Sequence, residues 1–256
     1  MDLGHGSEAG SAVWRRPEIP SVEGPNLQDA RAMARQSRWL MAQSPDFAQR
    51  LLAHASLRQY KKRQVICGVD DETPGLHFLV RGAVDVWVPR PTGELIPIHL
   101  VAARHWFGGM GAMTGHAGLA AYHACTPSSV LCIPRSAIRL LEAEHPSFRQ
   151  AFLDLLAASV RDMMEMTSDL VGLDAEKRII AKLVTLSGTE ARAAQDQEGY
   201  ALPVSQSELA LVSNASRATT NAILAKLEKA GILKLGYRKV LVLKRSALLA
   251  ALGQDR

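Results

Sequence analysis

The stretch Ser205–Leu243, SQSELALVSNASRATTNAILAKLEKAGILKLGYRKVLVL, decides how this chain is read. It predicts two short helices around a tight turn, then a β-hairpin. Ala210 is small where two helices cross closely. Asn214, four residues on, falls at the turn, where a left-handed backbone is needed and Asn is the commonest substitute for Gly. Ser216 follows as the N-cap of the second helix. Thr220, Ile223, Leu224 and Leu227 form its inward face. This leaves Arg217, Ala218 and Asn221 near the exposed first turn, where a recognition helix meets the major groove. Arg217 suits a bidentate contact to guanine, and Asn221 one to adenine. Ser205, Gln206, Ser216 and Thr219 are placed to donate to phosphates, together with helix N-terminal amides. Gly231 ends the second helix, and Gly236 turns a hairpin between residues 232–235 and 240–243. Lys234, Arg238 and Lys239 then lie on a wing that touches the DNA backbone. The plainer alternative is a small helical domain with a solvated basic face. It leaves the joint presence of Ala210, Asn214, Ser216 and the glycine-turned wing without a reason.

The charge distribution agrees. The formal net charge is +5, and residues 203–256 alone sum to +6, so the first 202 residues sum to −1. Only the C-terminal unit is expected to meet a polyanion. At 256 residues the chain has room for two cores. The three cysteines, Cys67, Cys125 and Cys132, form no CxxC pair, which points to a reducing compartment. There is no secretory h-region. Residues 105–134 carry no Asp, Glu, Lys or Arg, but five Gly, two Pro and three His argue against a spanning helix. A cytoplasmic protein without a membrane partner is expected.

Upstream, residues 1–28 read as a flexible arm. Residues 29–55 look helical in pieces, with Pro45 breaking them. From Val65 to Ile133 the texture is that of short strands. Val84, Val86 and Val88 share one face after the turn residue Gly82, and Leu95–Val101 is another strand. Ser136–Glu144 is a short helix, and Ser147 is a candidate cap for a long one over 148–169. On that helix Phe152, Leu156, Ser159, Met163, Met166 and Leu170 recur at alternating steps of four and three, the spacing of a heptad seam. Such a seam favours a parallel dimer; the alternative is a helix packed on its own barrel. Asp174 is a cap for 175–186, and 188–199 is a polar loop.

The order is therefore barrel, dimer helix, winged helix-turn-helix, and it resembles the CRP/FNR family of bacterial transcription regulators. The matches are SQSELALVSNASRATTNAILAKLEKAGIL, LDAEKRIIAKLVTLSG after the dimer helix, LHFLVRGAVDVWV, and WFGGMG in place of the family's phosphate loop. The resemblance implies an α+β chain. It would comprise an N-terminal β-roll (jelly-roll) domain of the cyclic-nucleotide-binding kind with flanking helices (29–146), a dimerisation helix (147–173) and a winged helix-turn-helix (174–256). It also implies a homodimer on a palindromic double-stranded site, contact with RNA polymerase, and control by an effector.

The departures matter as much. Cyclic-nucleotide-binding members carry a Glu in the phosphate loop and an Arg about ten residues on; here those places are Gly109 and the cation-free 116–120. A buried phosphate without a positive partner is expensive to desolvate, so the expectation is against cAMP or cGMP. Residues 1–66 contain no Cys, which excludes the N-terminal cluster of iron–sulfur members. What remains is a neutral pocket at Gly108, Gly109, Met110, Met113 and Leu119, with Met163 and Met164 from the long helix, suited to a small apolar effector. Plain core packing without a ligand fits the same residues. Haem, through His99, His105, His116 or His123 with Cys67, is a remoter reading. In the recognition helix, Ala218 and 221–222 replace a Glu and a second Arg common in the family, so common half-sites do not transfer. No metal or cofactor is otherwise expected. An enzymatic barrel would need a His-x-His pair with a Glu, a nucleophile elbow, a P-loop or a dinucleotide fingerprint, and none appears.

Overall fold

A computed structural model of the chain describes residues 24–69, 71, 75–116, 119–187, 199–202, 204–237 and 239–253. Three short helices open it: α1 (Leu27–Arg35), α2 (Arg38–Met41) and α3 (Pro45–Ala53). Asn26, Ser37 and Ser44 cap them through side-chain oxygens. Pro45 therefore starts a helix instead of breaking one. At the first helical position its missing N–H has no intrahelical partner to lose. Most of the expected arm (1–23) lies outside the described residues.

The barrel consists of β1 (Ser56–Tyr60), β2 (Val65–Cys67), β3 (Gly75–Arg81), β4 (Val84–Pro89), β5 (Leu95–Val101), β6 (Trp106–Phe107), β7 (Ala121–Ala124) and β8 (Ser128–Pro134). Two four-stranded antiparallel sheets, ordered β1-β8-β3-β6 and β2-β7-β4-β5, face each other. Gly82 joins β3 to β4 at φ +103°, and a Cβ there would lie 2.9 Å from both Pro127 O and Ser128 Cα, so the corner requires glycine. A single-turn helix, α4 (Gly109–Thr114), follows β6, and α5 (Arg135–Glu144) follows β8.

The long helix α6 spans Arg149–Gly172. Ser147 does not cap it: Pro146–Phe148 form a 3₁₀ turn that runs directly into the helix. Its first turns are anchored by an aromatic cluster. Phe47 meets Phe148 and Phe152 at centroid distances of 5.1 and 5.3 Å, and Trp39 Nε1 donates to Ala151 O at 2.7 Å.

The expected seam row changes its surroundings along the helix. Phe152 is 2% exposed inside this core; Leu156, Ser159, Met163 and Met166 line a cavity against the barrel, with Ser159 and Met163 (51%) still exposed. Leu170 belongs to the same row but keeps 42% of its surface. The row one step along, Leu153, Ala157, Val160, Met164, Thr167 and Val171, has the same four-three spacing and is exposed throughout. Adjacent residues sit about 100° apart on a helix. Periodicity finds both rows but cannot say which one the barrel covers.

The C-terminal unit comprises α7 (Ala175–Ser187), β9 (Tyr200–Leu202), α8 (Gln206–Val212), α9 (Arg217–Lys229), β10 (Leu233–Gly236), β11 (Lys239–Val242) and α10 (Arg245–Ala251). Asp174 caps α7 through Oδ1, which accepts from Lys177 N at 2.8 Å. The hairpin gains a third strand, because β9 pairs antiparallel with β11. Gly236 is the last residue of β10 and pairs with Lys239, so the glycine belongs to the ladder and not to the turn itself. Most of the polar loop expected over 188–199 lies outside the described residues. The unit shares a core with the barrel: Ala83, Leu100 and Cys125 cluster with Leu186, Leu202, Val204 and Leu209. Among the described residues no helix is long and apolar enough to cross a membrane.

Candidate DNA interface and the cavity beside the long helix

Local backbone demands build the helix-turn-helix. Ser205 and Glu208 form a capping box: Ser205 Oγ accepts from Glu208 N at 3.2 Å, and Glu208 Oε2 accepts from Ser205 N at 2.7 Å. Ala210 is buried at the crossing, and its carbonyl accepts from Ala215 N at 3.0 Å. Asn214 takes φ +48° at the turn. Ser216 Oγ accepts from Thr219 N at 3.0 Å and lies 2.7 Å from Thr219 Oγ1. The helix closes in a Schellman motif, with Gly231 at φ +66° and Ile232 N donating to Leu227 O at 3.0 Å.

One face of α9 is locked, since Thr220, Ile223, Leu224 and Leu227 are all buried. The other presents Arg217, Ala218 and Asn221 to solvent. Ser205 and Gln206 are half-buried at the start of α8, while Lys234 and Lys239 are exposed on the hairpin. Arg238 lies outside the described residues. Two further groups had not been singled out from the sequence. Tyr237, at the wing tip, is 91% exposed. Arg178 of α7 holds the turn: its guanidinium donates to Leu173 O (2.7 Å), Ser213 O (3.0 Å) and Asn214 O (3.1 Å). The C-terminus of α6 is thereby tied to the helix-turn-helix. The wing is tied to α9 as well, because Glu228 Oε1 accepts from Leu235 N at 2.7 Å.

A cavity of about 280 Å³ lies between the barrel and α6. Gly108, Gly109, Met110, Leu119 and Met163 line it as expected from the sequence; Met113 and Met164 do not. Met113 packs on the helical core instead, and Met164 points away, 68% exposed, on the outer row of α6. Met166, assigned above to the seam, is part of the wall. Gly108 sits at φ +79°, where a Cβ would approach Gly75 O at 2.7 Å. Gly109 brings the α4 backbone against α6, with Leu155 Cδ2 3.6 Å from where a Cβ would stand.

Among the described lining residues there is no Lys or Arg, and Asp162 is the one carboxylate. His99 and His105 line the cavity, whereas His116 is exposed and His123 Nδ1 stands 3.6 Å from Asp85. Burial, then Lys182 and His105, push the His99 pKa down to about 3, so its ring is neutral. Burial, then Asp71, pushes the Cys67 thiol up to about 12. Lys182 of α7 is 8% exposed; burial lowers its pKa and Asp169 of α6 opposes this. Thr185, also on α7, belongs to the cavity wall, so the DNA-binding unit touches the cavity directly. Among the described residues no His, Cys, Asp and Glu group could hold a metal ion.

Comparison with known proteins adds two domain matches. Residues 57–145 match the cyclic nucleotide-binding domain, and residues 177–251 match the Crp-like helix-turn-helix domain. The chain belongs to the CRP/FNR family of transcription regulators. It is 25% identical over 174 residues to the global nitrogen regulator of Synechocystis sp., covering 67% of this chain and 77% of that one. It is 26% identical over 171 residues to the CRP-like cAMP-activated global transcriptional regulator of Mycobacterium tuberculosis, covering 65% and 75%. The structure of FixK2 from Bradyrhizobium japonicum superposes with a TM-score of 0.63 at 20% identity, covering 77% of this chain and 96% of that one. In family terms, 206–229 is the DNA-binding helix-turn-helix, and the cavity lies beside Gly108–Gly109, between the matched cyclic nucleotide-binding domain and α6.

Proposed function

We propose that this regulator works as a homodimer on a palindromic DNA site, switched by a small effector that is not a cyclic nucleotide. The exposed first turns of α9 carry the DNA part of this reading. Arg217 and Asn221 are its two side chains with base-reading chemistry, and each good bidentate contact is worth about 1–3 kcal/mol of discrimination. Ala218 offers only a methyl, suited to apolar contact. Ser205, Gln206, Ser216, Thr219, Lys234 and Lys239, with Arg238, supply sequence-blind phosphate contacts. The outer row of α6 supports the dimer, because a row of Leu, Val and Met left in water on a 24-residue helix is an interface without its partner. Two recognition helices so held address half-sites about 34 Å apart. RNA polymerase is the further macromolecular partner.

The missing cation supports the effector reading. A cyclic phosphate in this cavity would lose its water and find no Lys or Arg among the described lining residues. Haem is not favoured either. Cys67 is held as a thiol, and His116 is turned to solvent. The route to DNA is short. Leu100 belongs both to the cavity wall and to the core shared with the DNA-binding unit, and Thr185 brings α7 to the ligand.

Quantitative binding to a selected operator and to random DNA tests the reading unit. Arg217→Ala is expected to lower operator affinity about tenfold or more and to relax one base position. Lys239→Ala is expected to weaken both DNAs alike and to lower the salt slope by about one. If both changes act equally on operator and random DNA, α9 is not the reading element.

A further inference from the structure

We propose that the cavity takes a compact aromatic amine of about two rings, its rings among Trp106, Phe107 and the methionines and its ammonium at Asp162. This rests on reading the cavity as the effector site. Size comes first. An apolar cavity of about 150 Å³ holds benzene, so a space of about 280 Å³ suits a bicyclic body, or one ring with a short chain. The wall gives the ring character. Trp106, Phe107 and Tyr122 line one side, and Met110, Met163 and Met166 another. Thioethers and ring faces both favour an aromatic guest.

Charge gives the amine. The described lining offers a single carboxylate, Asp162, on α6. Burial, then Glu165, pushes its pKa up, while His105, Arg161 and Arg38 pull it down. Asp162 is exposed at the open side of the cavity, and a ligand ammonium there offsets the repulsion from Glu165. The nearby His99 ring is neutral and repels nothing. His105 Nδ1 lies 3.0 Å from Ala103 O, which only accepts, so that nitrogen carries a hydrogen and a neutral ring keeps Nε2 as an acceptor. An anionic ligand meets the Asp162 carboxylate and finds no Lys or Arg among the described lining residues.

Calorimetric titration of the full chain with tryptamine, indole and indole-3-acetate tests this, since one bicyclic body then carries a cation, no charge or an anion. Tryptamine is expected to bind tightest, indole about tenfold weaker and indole-3-acetate about a hundredfold weaker than tryptamine. Asp162→Asn should bring tryptamine down to the affinity of indole and leave indole unchanged. Ser159→Phe, which fills the wall, should abolish tryptamine binding while leaving the folded circular dichroism spectrum intact. The proposal is overturned if none of the three binds, if indole-3-acetate matches tryptamine, if Asp162→Asn leaves tryptamine unaffected, or if Ser159→Phe still binds it. A separate arm measures operator affinity with tryptamine bound. Equal affinity with and without it would end the effector role and leave the ligand chemistry standing. Loss of tryptamine binding would do the reverse.

Discussion

The recognition unit and the cavity wall are built by opposite means. In the unit, each special backbone position is met by a residue within five of its partner: Ser205 with Glu208, Ser216 with Thr219, Leu227 with Ile232. The cavity instead draws residues from β2, β4, β5, α4, α6 and α7. Local closure makes the unit rigid and leaves its reading face free to vary. Distributed closure makes the cavity sensitive to every element around it, including the DNA-binding unit through Thr185 and Leu100. Under the proposed function, a part that presents fixed contacts and a part that responds to an effector are thereby built differently in one chain.

The sharpest test of this contrast uses adjacent residues of α6. Val160 is half-exposed on the outer row, while Ser159 is on the cavity wall. Val160→Glu puts two carboxylates against each other in an apolar seam. Sedimentation should show monomers at micromolar concentration, and operator affinity should fall by more than about a hundredfold, since a monomer engages one half-site. Ser159→Phe should sediment as a dimer. If Ser159→Phe dissociates and Val160→Glu does not, the seam returns to the inner row.

How legible each part is in the sequence follows the same division. Asn214, Ser216, Gly231 and the buried quartet from Thr220 to Leu227 answer local rules, and the structure places them where those rules put them. Two features of the same unit were not legible. Strand β9 is three residues, Tyr200–Leu202, too short for alternation to register. Arg178 reads as one more charge on a helix, although its three acceptors lie up to 36 residues away. In the cavity, Gly108 and Gly109 were legible because WFGGMG resembles the family's phosphate loop, and the structure adds that both stand close to neighbouring elements. The face of α6 was not, because it depends on the position of the barrel and two rows share one period. That uncertain phase put Met164 in the cavity, whereas Met113 sits on the short helix α4 and turns to the helical core.

Arg178 is where the two styles of construction meet, and removing it should cost next most. Arg178→Ala leaves two partly buried carbonyls and one exposed carbonyl without their charged donor, and hydrogen bonds to charged groups are worth about 1.5–3 kcal/mol. A loss of about 2–3 kcal/mol in denaturant unfolding is expected. Arg178→Lys should not restore it, because an ammonium cannot reach three divergent acceptors as a planar fork does. Full recovery by lysine would reduce the clamp to a general charge effect.

A smaller, graded effect comes from pH. Burial, as the leading cause, lowers the pKa of His77 to about 4 and of His99 to about 3, against 6.5 for a free imidazole. Both are neutral in the fold and take up protons on unfolding below about pH 6.5. Their contribution is complete above that pH and fades as pH falls toward 4 and 3. Between pH 4.5 and 6 the slope of stability should correspond to about two protons from this pair. His99→Gln, at the cavity, should remove one of them. An unchanged slope would mean that the barrel lets water reach His99.

The smallest effect tests the local half. Asn214 holds φ +48° with its side chain exposed, so its own contribution to the turn is backbone conformation, the Arg178 bonds going to carbonyls that any residue there keeps. Glycine adopts that conformation without strain, yet has more freedom to lose on folding. The two terms oppose each other, and Asn214→Gly should stay within about 0.5 kcal/mol of the parent. Asn214→Ala keeps a Cβ but gives up asparagine's tolerance of the left-handed region, and should cost about 1 kcal/mol. Gly108→Ala has a similar φ, but its Cβ would press to 2.7 Å on Gly75 O, so it should cost clearly more than Asn214→Ala. The same change of backbone freedom is thus mild where closure is local and severe where a second strand stands against the turn. Equal costs at 108 and 214 would remove the distinction between the two regions.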